Sequence, residues 1–394
     1  MKVLEGVKVV DFTQAYSGPF CTMQLADFGA EVIKIERRGI GDQSREWTPI
    51  ENGHSGYYSA INRNKKGLSL DIATPEGREI VLGLIKEADV VVENFKVGTL
   101  DKLGLGYEEM KKANPEIIYA SISGFGETGP LKSLAAYDNV VQAMTGIMEM
   151  TGFVDGIPTK VGPAIGDNFT GLTMSLAITM AYLNKLNTGK GQKIDVAMYD
   201  AIFAILESPI LFDTVLGEKS TRTGNADPAT LVPYDVYECQ DGYFSAGIAS
   251  DSGWPKFCET IGMPELIEDP RFVDNDLRCK NYEEFTAIVS EYFKAKTKIE
   301  LADTFVAAGV PSAPVLTVPE IMEHPQIVAR DMMIELEDPG IGKHLAIGNP
   351  MKLSKTPAVI QKAAPLMGED TDEILRGIGY SDAEIKSLYE NEIV

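Results

Sequence analysis

Histidine is scarce in this 394-residue chain, with His54, His324 and His344 the whole complement. Three scattered imidazoles leave a Ser/His/Asp triad without a credible base. Cys21, Cys239, Cys258 and Cys279 lie far apart with no CxxC pair, so no zinc spacing is present and a disulfide framework is not expected. No metal is expected. Basic residues are in deficit: Lys and Arg number 36 against 58 Asp and Glu, a net charge of −22. That argues against nucleic acid or an anionic membrane as the main partner, and an anionic ligand would need a local cluster of cations. No apolar run approaches the roughly 18 residues of a membrane span. The start, MKVLEGVKVVDF, carries charge at Lys2, Glu5 and Lys8 and lacks a signal-peptide core. Cytoplasm is the expected location. There is no Walker A sequence, low-complexity tract or internal repeat.

What is present is the composition of a globular protein, 44% hydrophobic and 24% charged, long enough for two or more domains. Val7–Phe12, Glu31–Glu36, Gly67–Ile72, Val90–Asn94 and Glu116–Ser123 read as buried strands. Helical patterns intervene, opened at Ser17-Gly-Pro and at Thr74-Pro, where proline suits the first turn. Strands alternating with helices every roughly 20–30 residues imply α/β architecture, a parallel sheet with helices on both faces. Ligands bind such sheets beyond the carboxyl ends of the strands. The loops from Thr13, Arg37, Ala73, Asn94 and Gly124 are therefore the ones of interest. Residues 217–229 are polar and rich in breakers, a linker. Two strands then meet at Gln240-Asp241-Gly242, and helical patterns follow near 252–262, 281–296 and 298–308. We expect a large domain from residues 1–215 and 330–394, and a smaller α/β domain with its linkers over 216–329. A hairpin near 332–347 and a terminal helix from a Ser381/Glu384 capping box complete the chain.

Gly124-Phe-Gly-Glu-Thr-Gly129 matches GxGxxG after a strand. The motif is misplaced for a dinucleotide site, since Pro130 follows at once and the strand is the fifth, not the first. A glycine loop lining a cleft suits it better; a dinucleotide-dependent oxidoreductase, binding nicotinamide or flavin, is the minor alternative. Arg37, Arg38, Lys96 and Lys102 sit just past strand ends and could converge on phosphates or remain solvated surface charges. Asp167, in Gly166-Asp167-Asn168-Phe169-Thr170-Gly171, is a carboxylate between glycines at the start of a long apolar segment. A helix N-terminus there makes it an N-cap, and also an ionised carboxylate able to act as a nucleophile. Asp138, Asp195 and Asp200 compete for that role.

In order along the chain stand VVDFTQAYSGPFCTMQLADFGAEVIKIERRG, NRNKKGLSLD, VVENFKVG, ISGFGETGP, AAYDNVVQA, GDNFTG, TGKGQKIDVAMYDA, EDPRF, HPQIVARDM and GED. With these segments the chain resembles, over nearly its whole length, the class III CoA-transferases, the group that includes formyl-CoA and carnitine CoA-transferases and α-methylacyl-CoA racemases.

The resemblance implies a Rossmann-like large domain built from both chain ends, a smaller domain between, and a homodimer of two interlocked subunits. It implies that Asp167 attacks an acyl-CoA thioester, passing through a mixed anhydride and an aspartyl-CoA thioester to a small carboxylic acid acceptor, with backbone N–H groups of glycine-rich loops holding the oxyanion. Coenzyme A is then a substrate, with no permanently bound cofactor. Arg37, Asn94, Lys96, Lys102 and Tyr137 would contact CoA, with Leu70 near the adenine and Tyr16, Phe95 and Asp138 beside them. Two departures argue against the formyl-CoA/oxalate pair. Tyr16 stands where formyl-CoA transferases carry Gln, and Asn225–Leu231 replaces their glycine-rich loop. The racemases carry a His where this chain has Tyr137. A tyrosine phenol, ordinarily titrating at about 10, is a poor base near neutral pH, which favours transfer over racemisation.

Overall fold

The computed structural model describes residues 2–394 and resolves into two compact units. The first comprises the chain up to Ile147, Lys160–Leu211 and Pro325–Val394; the second comprises Met148–Thr159 and Phe212–His324.

The first unit is built on six parallel strands: β1 (Lys8–Asp11), β2 (Glu31–Glu36), β3 (Lys66–Ser69), β4 (Val90–Glu93), β5 (Ile118–Ser123) and β6 (Lys193–Ala197). Their spatial order is β3-β2-β1-β4-β5-β6. Strand order reverses between β1 and β4, where Val9 pairs with Val32 on one side and Val90 on the other. This is the doubly wound order, with its ligand crevice at the carboxyl ends of the two strands flanking the reversal.

Runs such as Val90-Val91-Val92 suit strands covered on both faces. Val10, Ile35 and Val91 enter one core with Ile80, Leu84 and, from the chain's end, Leu375 and Leu388. Val9, Val32, Val90 and Val92 enter the other with Cys21, Leu25, Met174 and Ile178. The second core is roofed by α1 (Ser17–Asp27) and α3 (Ile165–Thr188), with α2 (Asp138–Thr145) beside them. The terminal helix Asp382–Glu390 is closed by the expected capping box. The expected hairpin is present as Met333–Asp338 paired with Gly342–Ile347. Expected strand ends lie within three residues of those observed, and Glu31–Glu36 coincides at both ends.

The second unit has a three-stranded antiparallel sheet, β7 (Tyr234–Cys239), β8 (Gly242–Gly247) and β9 (Ser312–Pro314), in the order β9-β8-β7. Helices Trp254–Thr260, Tyr282–Lys294 and Lys298–Ala308 pack an aromatic core including Phe244, Phe257, Phe285, Phe293 and Phe305. Tyr237 stacks on Phe293 at 4.1 Å between ring centroids.

Candidate active site

The loop after β1 holds an uncommon backbone conformation in place with side chains from three other strands or loops. Asp11, the last residue of β1, is fully buried and accepts from the Thr13 backbone N–H at 2.8 Å and from its hydroxyl at 2.5 Å. Lys34 of β2, also fully buried, donates to the Thr13 carbonyl at 2.7 Å and pairs with Asp42 at 2.8 Å. Asp42 accepts from the Ala15 N–H at 3.0 Å. Asn94, just past β4, takes both backbone groups of Gln14, accepting from its N–H and donating to its carbonyl, each at 2.8 Å. The backbone of residues 13–15 is thus fastened across the strand reversal. Ala15 adopts φ +66°, a left-handed conformation costing an alanine about 1 kcal/mol or more. Breaking the buried Lys34–Asp42 ion pair would cost about 3–5 kcal/mol. The ties therefore exceed the strain and deliver Tyr16 and Ser17 in a fixed position.

Asp167 arrives from the opposite side. It is the third residue of α3, whose N-cap is Ala164 with no side-chain cap. Asp167 is thus near a helix N-terminus, as its sequence context suggests, but does not cap that helix. Both flanking glycines serve close approach by protein. A Cβ on Gly166 would lie 2.9 Å from Asp138 Oδ1, and one on Gly171 only 2.5 Å from the Ser17 carbonyl oxygen. Asp138 accepts from the Gly166 N–H at 2.7 Å and from Gln142 Nε2 at 2.7 Å, while Gln142 accepts from the Val161 N–H at 2.8 Å. The turn preceding α3 is therefore clamped by α2.

The surroundings of Asp167 act against the ionisation that a helix N-terminus would favour. Burial pushes its carboxyl up to about 7, and the Asp138 carboxylate pushes the same way; only Ser17, through its hydroxyl and backbone N–H, pulls it down. Loss of water and the facing second anion both favour the neutral form of this half-buried carboxyl.

A cavity of about 270 Å³ opens on Asp167, lined also by Gln14, Tyr16, Ser17, Trp47, Asn94, Phe95, Lys96, Gly124 and Tyr137. A second cavity, about 410 Å³, is lined by Phe12, Ile35, Arg37, Leu70, Ile72, Phe95 and Leu103. The two share Gln14 and Phe95. Of the residues singled out by sequence, Tyr16, Asn94, Phe95, Lys96, Tyr137 and Asp167 meet in the first cavity, Arg37 and Leu70 in the second. Asp138 stands behind Gly166. Lys102 is exposed at the end of the short helix Thr99–Lys102 and lines neither cavity. Asn94, expected as a ligand contact, has its carboxamide engaged by Gln14. Arg38 turns away to donate to the Val394 carbonyl at 3.0 Å, beside Glu392. Asp195 accepts from the Glu127 N–H, and Asp200 lies in the first turn of the helix Met198–Phe203. The Gly124–Gly129 segment is a loop whose first glycine lines the cavity.

Sequence reasoning missed the aromatic wall. Tyr16 packs against Phe20 and Tyr57, Tyr57 against Trp47, and the Tyr16 hydroxyl donates to Asn168 at 2.9 Å. It also missed Ser17. The buried Asp11, Lys34 and Glu36 had a legible signal, charges inside otherwise apolar strands, which only a buried partner explains.

Comparison with known proteins accords with this geometry. The family model described as CoA-transferase family III matches residues 4–371. The succinyl-CoA:mesaconate CoA-transferase of Haloarcula marismortui is 39% identical, over 96% of this chain and 97% of the relative. The human succinyl-CoA:glutarate CoA-transferase is 37% identical, over 100% of this chain and 90% of the relative. The crystal structure of a CAIB/BAIF family protein from Brucella suis superimposes with TM-score 0.86 at 37% identity, covering 96% of this chain and 99% of that one. The chain belongs to CoA-transferase family III, and the enzyme is a class III CoA-transferase.

Proposed function

We propose that the enzyme moves CoA from an acyl-CoA donor to a small carboxylic acid through covalent intermediates on Asp167. The observation that carries this reading is the placement of Asp167. A carboxyl poised at about 7 faces the cavity at the strand reversal, next to a second cavity with an apolar interior and a cation at its rim.

The reaction follows from that placement. Ionised Asp167 adds to the thioester carbonyl; the C–S bond breaks and CoA thiolate leaves, giving a mixed anhydride. The thiolate attacks the aspartyl carbonyl carbon and expels the donor's carboxylate, leaving an aspartyl-CoA thioester. An acceptor carboxylate attacks the same carbon, forming a second anhydride and freeing the thiolate again. Thiolate attack on the acceptor's carbonyl yields the new acyl-CoA and restores Asp167. No water is consumed, so the site must exclude it; the aromatic wall of Tyr16, Trp47 and Tyr57 suits that need.

Coenzyme A is multiply anionic with a flat base. The exposed side chains of Arg37 and Lys96 suit its phosphates, and the apolar cavity around Leu70 and Phe95 suits adenine. Asn94 acts through the Gln14 backbone. Tyr16, tied to Asn168, forms a wall, which disfavours formyl-CoA and oxalate as the substrate pair. Relatives acting on succinyl-CoA with mesaconate or glutarate make small dicarboxylic acids the first acceptors to try.

Association as a homodimer has its own support. Leu172, Leu176, Met180 and Leu183 of α3 are 45%, 55%, 61% and 60% exposed and fall on one face at i, i+4, i+8 and i+11. We assign this face to a second copy of the chain.

The test is exchange of labelled CoA between succinyl-CoA or acetyl-CoA and a panel of short-chain, dicarboxylic, hydroxy and aromatic acids. Parent protein should exchange label with at least one acid, and Asp167→Ala protein should not. Equal exchange by the two would end the covalent reading.

A further inference from the structure

Asp167 does not cap its own helix, yet it stands at the start of another. Gly171 seats α3 against the Ser17 carbonyl, and Asp167 lies one turn earlier on the same face, so its carboxyl projects past the beginning of α1. The residue that begins α1 is Ser17, only 3% exposed, and Tyr16 before it supplies no side-chain cap. Ser17 and Asp167 line the same cavity, and the Ser17 hydroxyl and backbone N–H act to hold the Asp167 carboxyl down against its burial.

We propose that Ser17 is a further catalytic residue, holding one Asp167 oxygen with its hydroxyl and N–H so that the other oxygen attacks, and then stabilising the oxyanion formed on the aspartyl carbonyl. This rests on Asp167 being the nucleophile. When CoA thiolate adds to the aspartyl carbonyl carbon, a C–S bond forms and the carbonyl π pair moves onto the oxygen facing Ser17. The two donors neutralise that charge until the pair returns and the donor carboxylate leaves. The same occurs when the acceptor acid attacks and thiolate leaves. The oxyanion donors thus come from the fastened β1–α1 turn, whereas the sequence pointed to glycine-rich loops. The turn is suited to the task because its backbone is fixed by Asp42, Lys34 and Asn94 before substrate arrives.

The other titratable groups facing Asp167 are Asp138, Tyr16 and Tyr57, with Lys96 and Tyr137 in the same cavity. Burial raises the Tyr16 and Tyr57 phenols, Tyr16 to about 12, so neither of these two ionises in an ordinary assay range.

The test compares Ser17→Ala, Ser17→Thr and Asp167→Ala with the parent in CoA exchange across pH. Ser17→Ala should lower kcat on the order of 100-fold with KM for acyl-CoA little changed. Its acidic limb should move to higher pH, because the carboxylate has lost a donor to its charged form. Ser17→Thr, which keeps the hydroxyl, should recover most of the rate and the parental limb. Parental kcat and pH profile in Ser17→Ala, or a change in KM alone, would overturn the inference while inactive Asp167→Ala protein left the covalent reading standing. An active Asp167→Ala protein would remove both.

Discussion

The two adjoining cavities, sharing Gln14 and Phe95, are made of different material. Around Asp167 almost every polar group is engaged: Thr13 by Asp11 and Lys34, Ala15 by Asp42, Gln14 by Asn94, Tyr16 by Asn168 and Gly166 by Asp138. Around Leu70 the interior is apolar, and Arg37 at its rim is exposed. The contrast follows from what each end must do. Covalent chemistry requires atoms held to fractions of an ångström, which buried ion pairs and paired backbone groups provide. Holding a large, flexible, anionic substrate requires hydrophobic surface and long-range attraction, which exposed cations on flexible stems supply. Substitutions at the fastened end should therefore change kcat or stability, and those at the open end KM.

The largest effect is expected from Asp167→Asn. Loss of the nucleophile should lower CoA transfer by about 10⁴-fold or more, measured as initial rates with saturating acyl-CoA. In the parent, kcat/KM should fall about tenfold per pH unit below the Asp167 pKa of about 7, since only the carboxylate attacks.

Lys34→Met should come next. It leaves Asp42 and the Thr13 carbonyl buried without their partner and should destabilise the fold by about 3–5 kcal/mol, read from urea unfolding, and lower kcat in the protein that remains folded.

At the open end, Arg37→Ala and Lys96→Ala should each raise KM for acyl-CoA roughly 3–10-fold with kcat near parental, and added salt should shrink the difference. A fall in kcat without a rise in KM would erase the distinction between the two ends.

The smallest effect is on stability. A carboxyl whose folded pKa is raised stabilises the fold while protonated, and that contribution is lost as pH rises through about 7. Asp167→Asn should therefore be more stable than the parent at pH 8, by roughly 1–2 kcal/mol after allowing for solvent screening of a half-buried group, and no more stable near pH 4. Thermal unfolding at the two pH values measures this.

Much of the fold was legible because strand and helix periods in the chain are clean. Glu31–Glu36, the capped helix from Thr74 and the Ser381/Glu384 capping box were all readable from local sequence. Strand order was not, since the return of Leu375 and Leu388 to the first core depends on contacts hundreds of residues apart. At the site, Lys96 and Arg37 could be picked out by residue type and position past a strand, and Asp167 by its place between glycines at the start of a long apolar segment. Ser17 and Tyr57 could not, because a serine or tyrosine acquires meaning only when a distant helix places a carboxyl beside it. For Asn94, the position beyond β4 was readable, but its bonds to Gln14 were not, because they depend on β1 lying next to β4. The groups that oppose ionisation of Asp167 were out of view for a related reason. The helix end is local, but the burial and the Asp138 charge that oppose it come from elsewhere in the chain.

The central claim, that Asp167 becomes covalently acylated, is tested most directly by trapping. The protein is incubated with acyl-CoA and hydroxylamine, digested, and the peptide containing Asp167 is weighed by mass spectrometry. The expected result is a hydroxamate at Asp167 that accumulates with time and requires acyl-CoA. Continued CoA transfer with Asp167 unmodified, or with the hydroxamate on another carboxyl, would contradict it.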